Sequence, residues 1–317
     1  MTNTGKASST SRGSVAATTA TKAPRFRYST DWELFAFSRK NVQIACVQMA
    51  PRIGEKDLNV RRAIDFVTRA ADLGAELVVL PELANTGYVF DSRAEAESLA
   101  EPVPDGSTTA AWSEVASALG VYIVAGIAEK ADGALYNSAV LLGPDGYLGS
   151  YRKTHLWGDE KKLFASGDRP SPIYDTPLGR IAIAICYDLW FPELFRLYAL
   201  GGAQIVCVPT NWVPMPNQSA DRPAMANTLA MAAAHTNGLV VACADRVGVE
   251  RGQPFEGQSL VVDQSGWPVG DVASRSLEEI VSASITLDAR TSVGTHNDVL
   301  ADRRADIYGR IPAFDGH

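Results

Sequence analysis

Metal-ligand patterns, paired cysteines and a recognisable secretory leader are all missing from this sequence. Its four cysteines, Cys46, Cys186, Cys207 and Cys243, lie far apart with none in a CxxC pair. Its four histidines, His155, His235, His296 and His317, form no HxH, HExxH or mixed Cys/His cluster. No metal site is expected on that basis. Free thiols in a reducing cytoplasm are the default for such a chain. An excess of positive charge is missing too. The formal net charge is −7; residues 1–40 carry seven Lys/Arg against Asp31 and Glu33, which leaves −12 on the remaining 277 residues. An acidic body argues against a nucleic-acid partner, and no membrane partner is expected either.

What is present is ordinary for a soluble enzyme: 46% hydrophobic and 21% charged residues in 317, enough for a large core. Residues 1–24 are nearly all Thr, Ser, Ala, Gly and Lys without periodicity, which reads as a disordered tail. A basic, Ser-rich transit peptide is the other reading. Residues 25–40 are aromatic enough to pack on something, so the tail is drawn over 1–40 and the folded body over 41–287. The last stretch, 288–317, is polar and weakly patterned, and reads as a C-terminal arm at an oligomer interface.

Within the body, apolar runs of strand length alternate with helical periodicity. Val42–Met49 reads as a strand, and Val60, Ile64, Val67 and Ala71 mark one helix face, stopped by Gly74. Glu76–Leu80 is a second buried strand, a helix over about 108–119 precedes Val121–Gly126, and a hairpin turns at Pro144-Asp145-Gly146. Further strands fall at 181–185, 204–208, 239–243, 258–262 and 280–285, with a helix over about 222–235. The pattern is α/β with a mixed sheet, and two sheets face to face under outer helices would explain strands apolar on both faces.

The stretch Ile181–Ile185 then delivers Cys186-Tyr187-Asp188 abruptly before a helix start at Phe191-Pro192-Glu193. A strand, an elbow and a helix is where an open α/β fold exposes a reactive side chain. Cys186 is thus placed as a nucleophile, or else as a small buried hydrophobe, the usual state of an intracellular cysteine. Cys46, Cys207 and Cys243 sit inside apolar runs and read as core. Two other strands end in the same manner, at Leu80-Pro81-Glu82 and Val208-Pro209-Thr210-Asn211, and the hairpin delivers Lys153, with Glu160 seven residues on. A free thiol is only a few per cent thiolate at neutral pH, so a carboxylate base beside it raises the reactive fraction, and an ammonium can hold a developing oxyanion. Taken singly, Glu82 reads as a solvated helix-entry charge, Lys153 as surface, and Glu160 as part of a charged loop.

Three ordered segments, Leu80-Pro81-Glu82-Leu83, Tyr151–Leu156 and Ile185–Glu193, closely resemble the nitrilase, or carbon–nitrogen hydrolase, superfamily over about residues 42–287. Val47-Gln48-Met49 and Asn137-Ser138 share the resemblance. It implies a four-layer αββα sandwich that assembles as a homodimer or higher homo-oligomer, and it implies no cofactor. Matched residue by residue, Glu82 is the general base, Cys186 the nucleophile, and Lys153 with the Tyr187 N–H the oxyanion donors; Glu160 is the second glutamate of the amidase and carbamoylase branches. Asn211 and Trp212 follow a strand end and are expected to line the pocket, with Tyr88, Trp157 and Trp190 narrowing it.

True nitrilases resemble one another in Cys-Trp-Glu at the nucleophile, whereas this chain has Cys186-Tyr187-Asp188. The expected reaction is hydrolysis of a small aliphatic amide or N-carbamoyl amine through a Cys thioester, with nitrile hydrolysis the alternative. Arg222 is a loose candidate for a substrate-carboxylate clamp. A Cys–His hydrolase of another fold would instead need His155 or His235 beside Cys186.

Overall fold

The first apolar run sets the frame. In the computed structural model, which describes residues 1–2, 40–219, 222–287, 292–293 and 295–308, that run is β1 (Lys40–Gln48). The expected tail, apart from residues 1, 2 and 40, lies outside the described residues, as do 288–291, 294 and 309–317 of the expected arm. Helix α1 (Lys56–Asp72) follows, and Gly74 at φ 89° turns the chain out of it. Its buried face is Asn59, Ala63, Phe66, Val67 and Ala70, with Val60, Ile64 and Ala71 only partly buried at the edge. The expected stripe is therefore rotated, because Phe66 brings the largest apolar surface and takes the centre.

Next come β2 (Leu77–Val79), α2 (Arg93–Leu99), α3 (Ser107–Leu119) with Gly120 left-handed at its end, β3 (Tyr122–Ala131) and the hairpin β4 (Ala134–Gly143) and β5 (Gly146–Arg152). A single turn α4 (Glu160–Leu163) leads to β6 (Tyr174–Thr176), β7 (Gly179–Ile183), a 3₁₀ turn over Cys186–Trp190 and α5 (Pro192–Leu200). Then β8 (Ile205–Pro209), α6 (Met225–Asn237) and β9 (Val240–Ala244) complete a second parallel set. A small hairpin of β10 (Val249–Glu250) and β11 (Gln253–Pro254), then β12 (Leu260–Val262) and β13 (Glu279–Leu287), close the body. In the arm, β14 (Ser292–Val293) pairs with β15 (Asn297–Asp298), followed by the single turn α7 (Ala305–Tyr308).

The strands form two mixed sheets, ordered β13-β1-β2-β3-β4-β5 and β12-β9-β8-β7-β6. Side-chain alternation decides what each face meets. From β1 and β2, Val42, Ile44, Cys46, Leu77 and Val79 join one core with the whole second sheet and residues of α5 and α6. Their neighbours Ala45, Val47 and Val78 turn the other way, into a second core with Phe66 of α1 and Trp112 of α3. The central strands β2, β8 and β9 are covered on both faces, which is why they read as unbroken apolar runs, whereas the edge strand β13 alternates buried and exposed residues. The two cores thus lie on opposite faces of β1 and β2. Cys46, Cys207 and Cys243 are fully buried core residues, as expected. No helix among the described residues is long and apolar enough to cross a membrane.

The topology also sets the site. The chain leaves β2 at Pro81-Glu82, β5 at Lys153, β7 at Ala184–Cys186 and β8 at Thr210-Asn211. The Glu82 N–H reaches the Thr210 carbonyl at 3.4 Å, and Asn211 Nδ2 donates to the Glu82 carbonyl at 2.9 Å, joining the ends of the two sheets.

Candidate active site

Glu82 is held from below by a missing side chain. A Cβ on Gly126 of β3 would lie 2.4 Å from the Leu83 nitrogen and 2.5 Å from Glu82 Cα. Only glycine lets the loop after β2 lie against the strand, where Gly126 donates to the Pro81 carbonyl and accepts from the Ala84 N–H. Leu83 completes the turn at φ 49°. The carboxylate is fully buried, so the solvated helix-entry reading does not hold. Its Oε1 accepts from Lys153 Nζ at 2.6 Å and from Asn137 Nδ2 at 2.7 Å.

Lys153 is fully buried as well, although Arg152 beside it is not. Strand alternation separates them: Arg152 turns to an ion pair with Glu129, while Lys153 turns inward. Its backbone is fixed on both sides, by the Asn137 carbonyl and by the Gly167 N–H. The ammonium bridges Glu82 and Glu160 Oε1, the latter at 2.8 Å. Glu160 Oε1 also accepts from Tyr88 OH at 2.6 Å, and its Oε2 accepts from the Trp157 N–H at 3.2 Å. Glu160 is buried, not a member of a solvated charged loop.

Electrostatics follow from this burial. Burial pushes the Glu82 carboxyl up to about 7, against the pull of the Lys153 ammonium. Burial opposes the charge on Lys153, but Glu160 and Glu82 together raise it above its ordinary value, so it stays an ammonium. Burial also drives the Cys186 thiol well above its ordinary value, Glu82 adds to this, and Lys153 opposes it. The resting pair is therefore a thiol beside a carboxylate that titrates near neutrality.

Cys186 opens a 3₁₀ turn, the elbow between β7 and α5, at φ 46°. A non-glycine residue in that region stores strain, which persists only where the surroundings fix it. Phe191 and Pro192 then start α5 as expected, with Pro in the first turn. A narrow pocket at the elbow is lined by Trp157, Cys186, Tyr187, Trp190, Asn211, Trp212, Val213 and Met215, with room for about one water. The Tyr187 ring packs against Trp157 and Trp190 at 4.9 and 5.8 Å.

Four of the five expected lining residues are thus together. Tyr88 stands behind them, its hydroxyl donating to Glu160 Oε1 at 2.6 Å. Burial keeps that phenol protonated and so a donor. Arg222 is exposed and does not line the pocket. Neither histidine serves Cys186. The His155 Nδ1–H donates to Asp188 at 2.7 Å and its ring stacks on Phe191, while His235 is bonded to the Ser265 carbonyl. Among the described residues no group of His, Cys, Asp and Glu is placed to hold a metal.

The family model for carbon–nitrogen hydrolases matches residues 43–294. The chain belongs to the carbon–nitrogen hydrolase family, within the nitrilase superfamily. A nitrilase from Pyrococcus abyssi (strain GE5 / Orsay) is 41% identical over 271 residues, covering 85% of this chain and 100% of the relative. An (R)-stereoselective amidase from Pseudomonas sp. is 33% identical over 269 residues, covering 84% and 93%. Among solved structures, a mutant of the amidase from Nesterenkonia sp. AN1 superposes with a TM-score of 0.71 at 26% identity, over 86% of this chain and 97% of that one. That amidase carries the acetamide moiety of fluoroacetamide added covalently at its active-site cysteine. The relatives thus include a nitrilase as well as amidases.

Sequence reasoning missed the supporting side chains. Asn137 was visible only as part of a motif, yet it donates to Glu82. Asp188 was visible only as the third residue of the elbow, yet it is fully buried and heavily bonded. For Asn137 the available signal was a polar residue inside an apolar strand, since such groups are kept only where they are hydrogen-bonded.

Proposed function

We propose that the chain hydrolyses the C–N bond of a small aliphatic amide or N-carbamoyl amine, with Cys186 as nucleophile. The carrying observation is the buried Lys153 ammonium that bonds Glu82 and Glu160 at once, in electrostatic contact with an elbow cysteine. Glu82 takes the thiol proton as Cys186 Sγ attacks the carbonyl carbon. The oxyanion accepts from Lys153 Nζ and the Tyr187 N–H. As the C–N bond breaks, Glu82 returns the proton to nitrogen, and ammonia or the amine leaves a Cys186 thioester. A water then attacks that thioester, Glu82 takes its proton, and the acid departs as the thiol is restored. Glu160 holds Lys153 throughout, and Trp157, Trp190, Asn211 and Trp212 border the acyl group.

None of the pocket-lining side chains is charged, which supports an uncharged, slim acyl group over an amino-acid carboxylate. The second reading is nitrile hydrolysis, favoured by the name of the Pyrococcus relative. The two differ in demand: an amide passes through an oxyanion that uses both donors, whereas a nitrile carries no oxygen. Ammonia release from matched amide, carbamoyl amine and nitrile pairs tests the choice. We expect kcat/KM for the amide or carbamoyl amine to exceed the nitrile's by at least about tenfold, roughly 1.4 kcal/mol of barrier. Equal or faster nitrile turnover would establish the second reading.

The same reading takes residues 41–287 as the catalytic domain of a cytoplasmic homodimer or higher homo-oligomer, with 288–317 as an arm on a neighbour. Exposed Ile307 and Tyr308 in α7 support the arm, and light scattering of the full chain tests the assembly.

A further inference from the structure

Asp188 accepts five hydrogen bonds while fully buried. Oδ2 accepts from the Ile185 N–H at 2.8 Å and Tyr151 OH at 2.8 Å. Oδ1 accepts from the His155 N–H at 3.1 Å, Thr154 Oγ1 at 3.1 Å and His155 Nδ1 at 2.7 Å. Ile185 is the residue before Cys186. Tyr151 lies two before Lys153, and Thr154 and His155 directly follow it. One carboxylate therefore joins the chain entering the nucleophile to both flanks of the lysine, and it does so between the two sheets.

A cap on the 3₁₀ turn would need only the Ile185 bond. The four others come from 33 to 37 residues away along the chain, and nothing in the turn itself requires them. A buried carboxylate is costly unless its lone pairs are filled, so this set of donors fixes its position closely. Cys186, strained at φ 46°, is in turn kept there by its surroundings.

We propose that Asp188 is a positioning residue that sets the Cys186 elbow against the strand end carrying Lys153. It touches no substrate. It acts by fixing the distance and direction between thiol and ammonium, and so rests on the roles given above to those two residues.

The test compares Asp188→Asn with Tyr151→Phe, counting active molecules by stoichiometric iodoacetamide labelling of Cys186. In Asp188→Asn one carboxylate oxygen becomes a donor, so the Ile185 or the His155 N–H must face another N–H. Tyr151→Phe leaves the turn cap intact and cuts one arm to the Lys153 strand. For Asp188→Asn, kcat on a small aliphatic amide should fall about a hundredfold per labelled thiol, with KM moved by less than about threefold. The pH midpoint of Cys186 alkylation should move upward, because the ammonium no longer lies close to the thiol. Tyr151→Phe should lower kcat about tenfold with KM again unmoved.

Unchanged kcat per labelled thiol in both variants overturns the proposal. So does a loss matched by the loss of labelled thiol, which is a folding defect alone. Should Asp188→Asn fail to fold, Tyr151→Phe decides by the same criterion. Alkylation needs no substrate: if the wild type turns over no amide but Asp188→Asn still shifts the alkylation midpoint, the reaction is misassigned and the positioning role stands.

Discussion

Lys153 Nζ lies 2.6 Å from Glu82 Oε1, while Oε2 of the same carboxylate is buried with no hydrogen-bond partner among the described residues. One oxygen is committed to the ammonium and to Asn137, and the other keeps a free lone pair. Leaving such an acceptor unpaired costs about 1–3 kcal/mol, which is tolerated where the group has work to do in the reaction. A carboxylate that titrates near 7 with one free oxygen is suited to take and return a proton at neutral pH.

Glu82→Gln keeps the shape and the carbonyl acceptor but removes the base. It should lower kcat/KM by about 10²- to 10⁴-fold. Steady-state kinetics beside a thermal melt check this, and activity within about threefold of wild type would remove Glu82 from the chemistry.

The pH dependence has a definite sign. Burial holds Glu82 at about 7, and only its carboxylate form accepts the thiol proton. kcat/KM should therefore fall about tenfold per pH unit below about 7 and level off above it. Lys153 is kept charged by Glu160 and Glu82 against its burial, so it adds no loss through the neutral range. A profile flat from about pH 5 to 8 would contradict the assignment.

Gly126→Ala drives a methyl group into backbone atoms of Leu83 and Glu82. The neighbours are backbone and cannot swing aside, so overpacking should cost about 1–3 kcal/mol. Because the displaced atoms carry the base, activity should fall further than the melting shift accounts for. A variant that loses stability while keeping full activity would show that Glu82 is not placed by this contact.

Tyr88→Phe deletes a charge-assisted donor to Glu160 and leaves the ring's edge contact with Phe255 in place. Loss of such a bond is worth about 1.5–3 kcal/mol, so kcat/KM should fall about tenfold or more. The comparison with Trp190→Phe separates this from pocket shape, since a change at the wall should move KM and a change behind Glu160 should move kcat.

Much of this was legible in the sequence because strand ends are abrupt. Glu82 and Cys186 each follow an apolar run, a hairpin delivers Lys153, and Gly74 marks a helix end that the structure keeps. What was not legible depends on which way a side chain turns. Lys153 beside Arg152 reads as surface until the strand's alternation is known. That the Tyr88 hydroxyl donates to Glu160 is a contact its sequence position does not show. The elbow at Cys186 is legible and its cap is local, from the Ile185 N–H to Asp188, but the donors from Tyr151, Thr154 and His155 lie 33 to 37 residues away and cannot be read from the turn's own sequence. Periodicity places Val60, Ile64, Val67 and Ala71 of α1 against the core but does not show that Phe66 is buried with them.

The most direct test of the central claim is to trap the acyl-enzyme. The protein is quenched in acid during turnover of a small aliphatic amide and mapped by peptide mass spectrometry. A mass increase equal to the acyl group is expected on the peptide containing Cys186 and on none containing Cys46, Cys207 or Cys243. Cys186→Ala should abolish both the adduct and ammonia release. Undiminished ammonia release from Cys186→Ala, or a wild-type adduct confined to another residue, would contradict the claim.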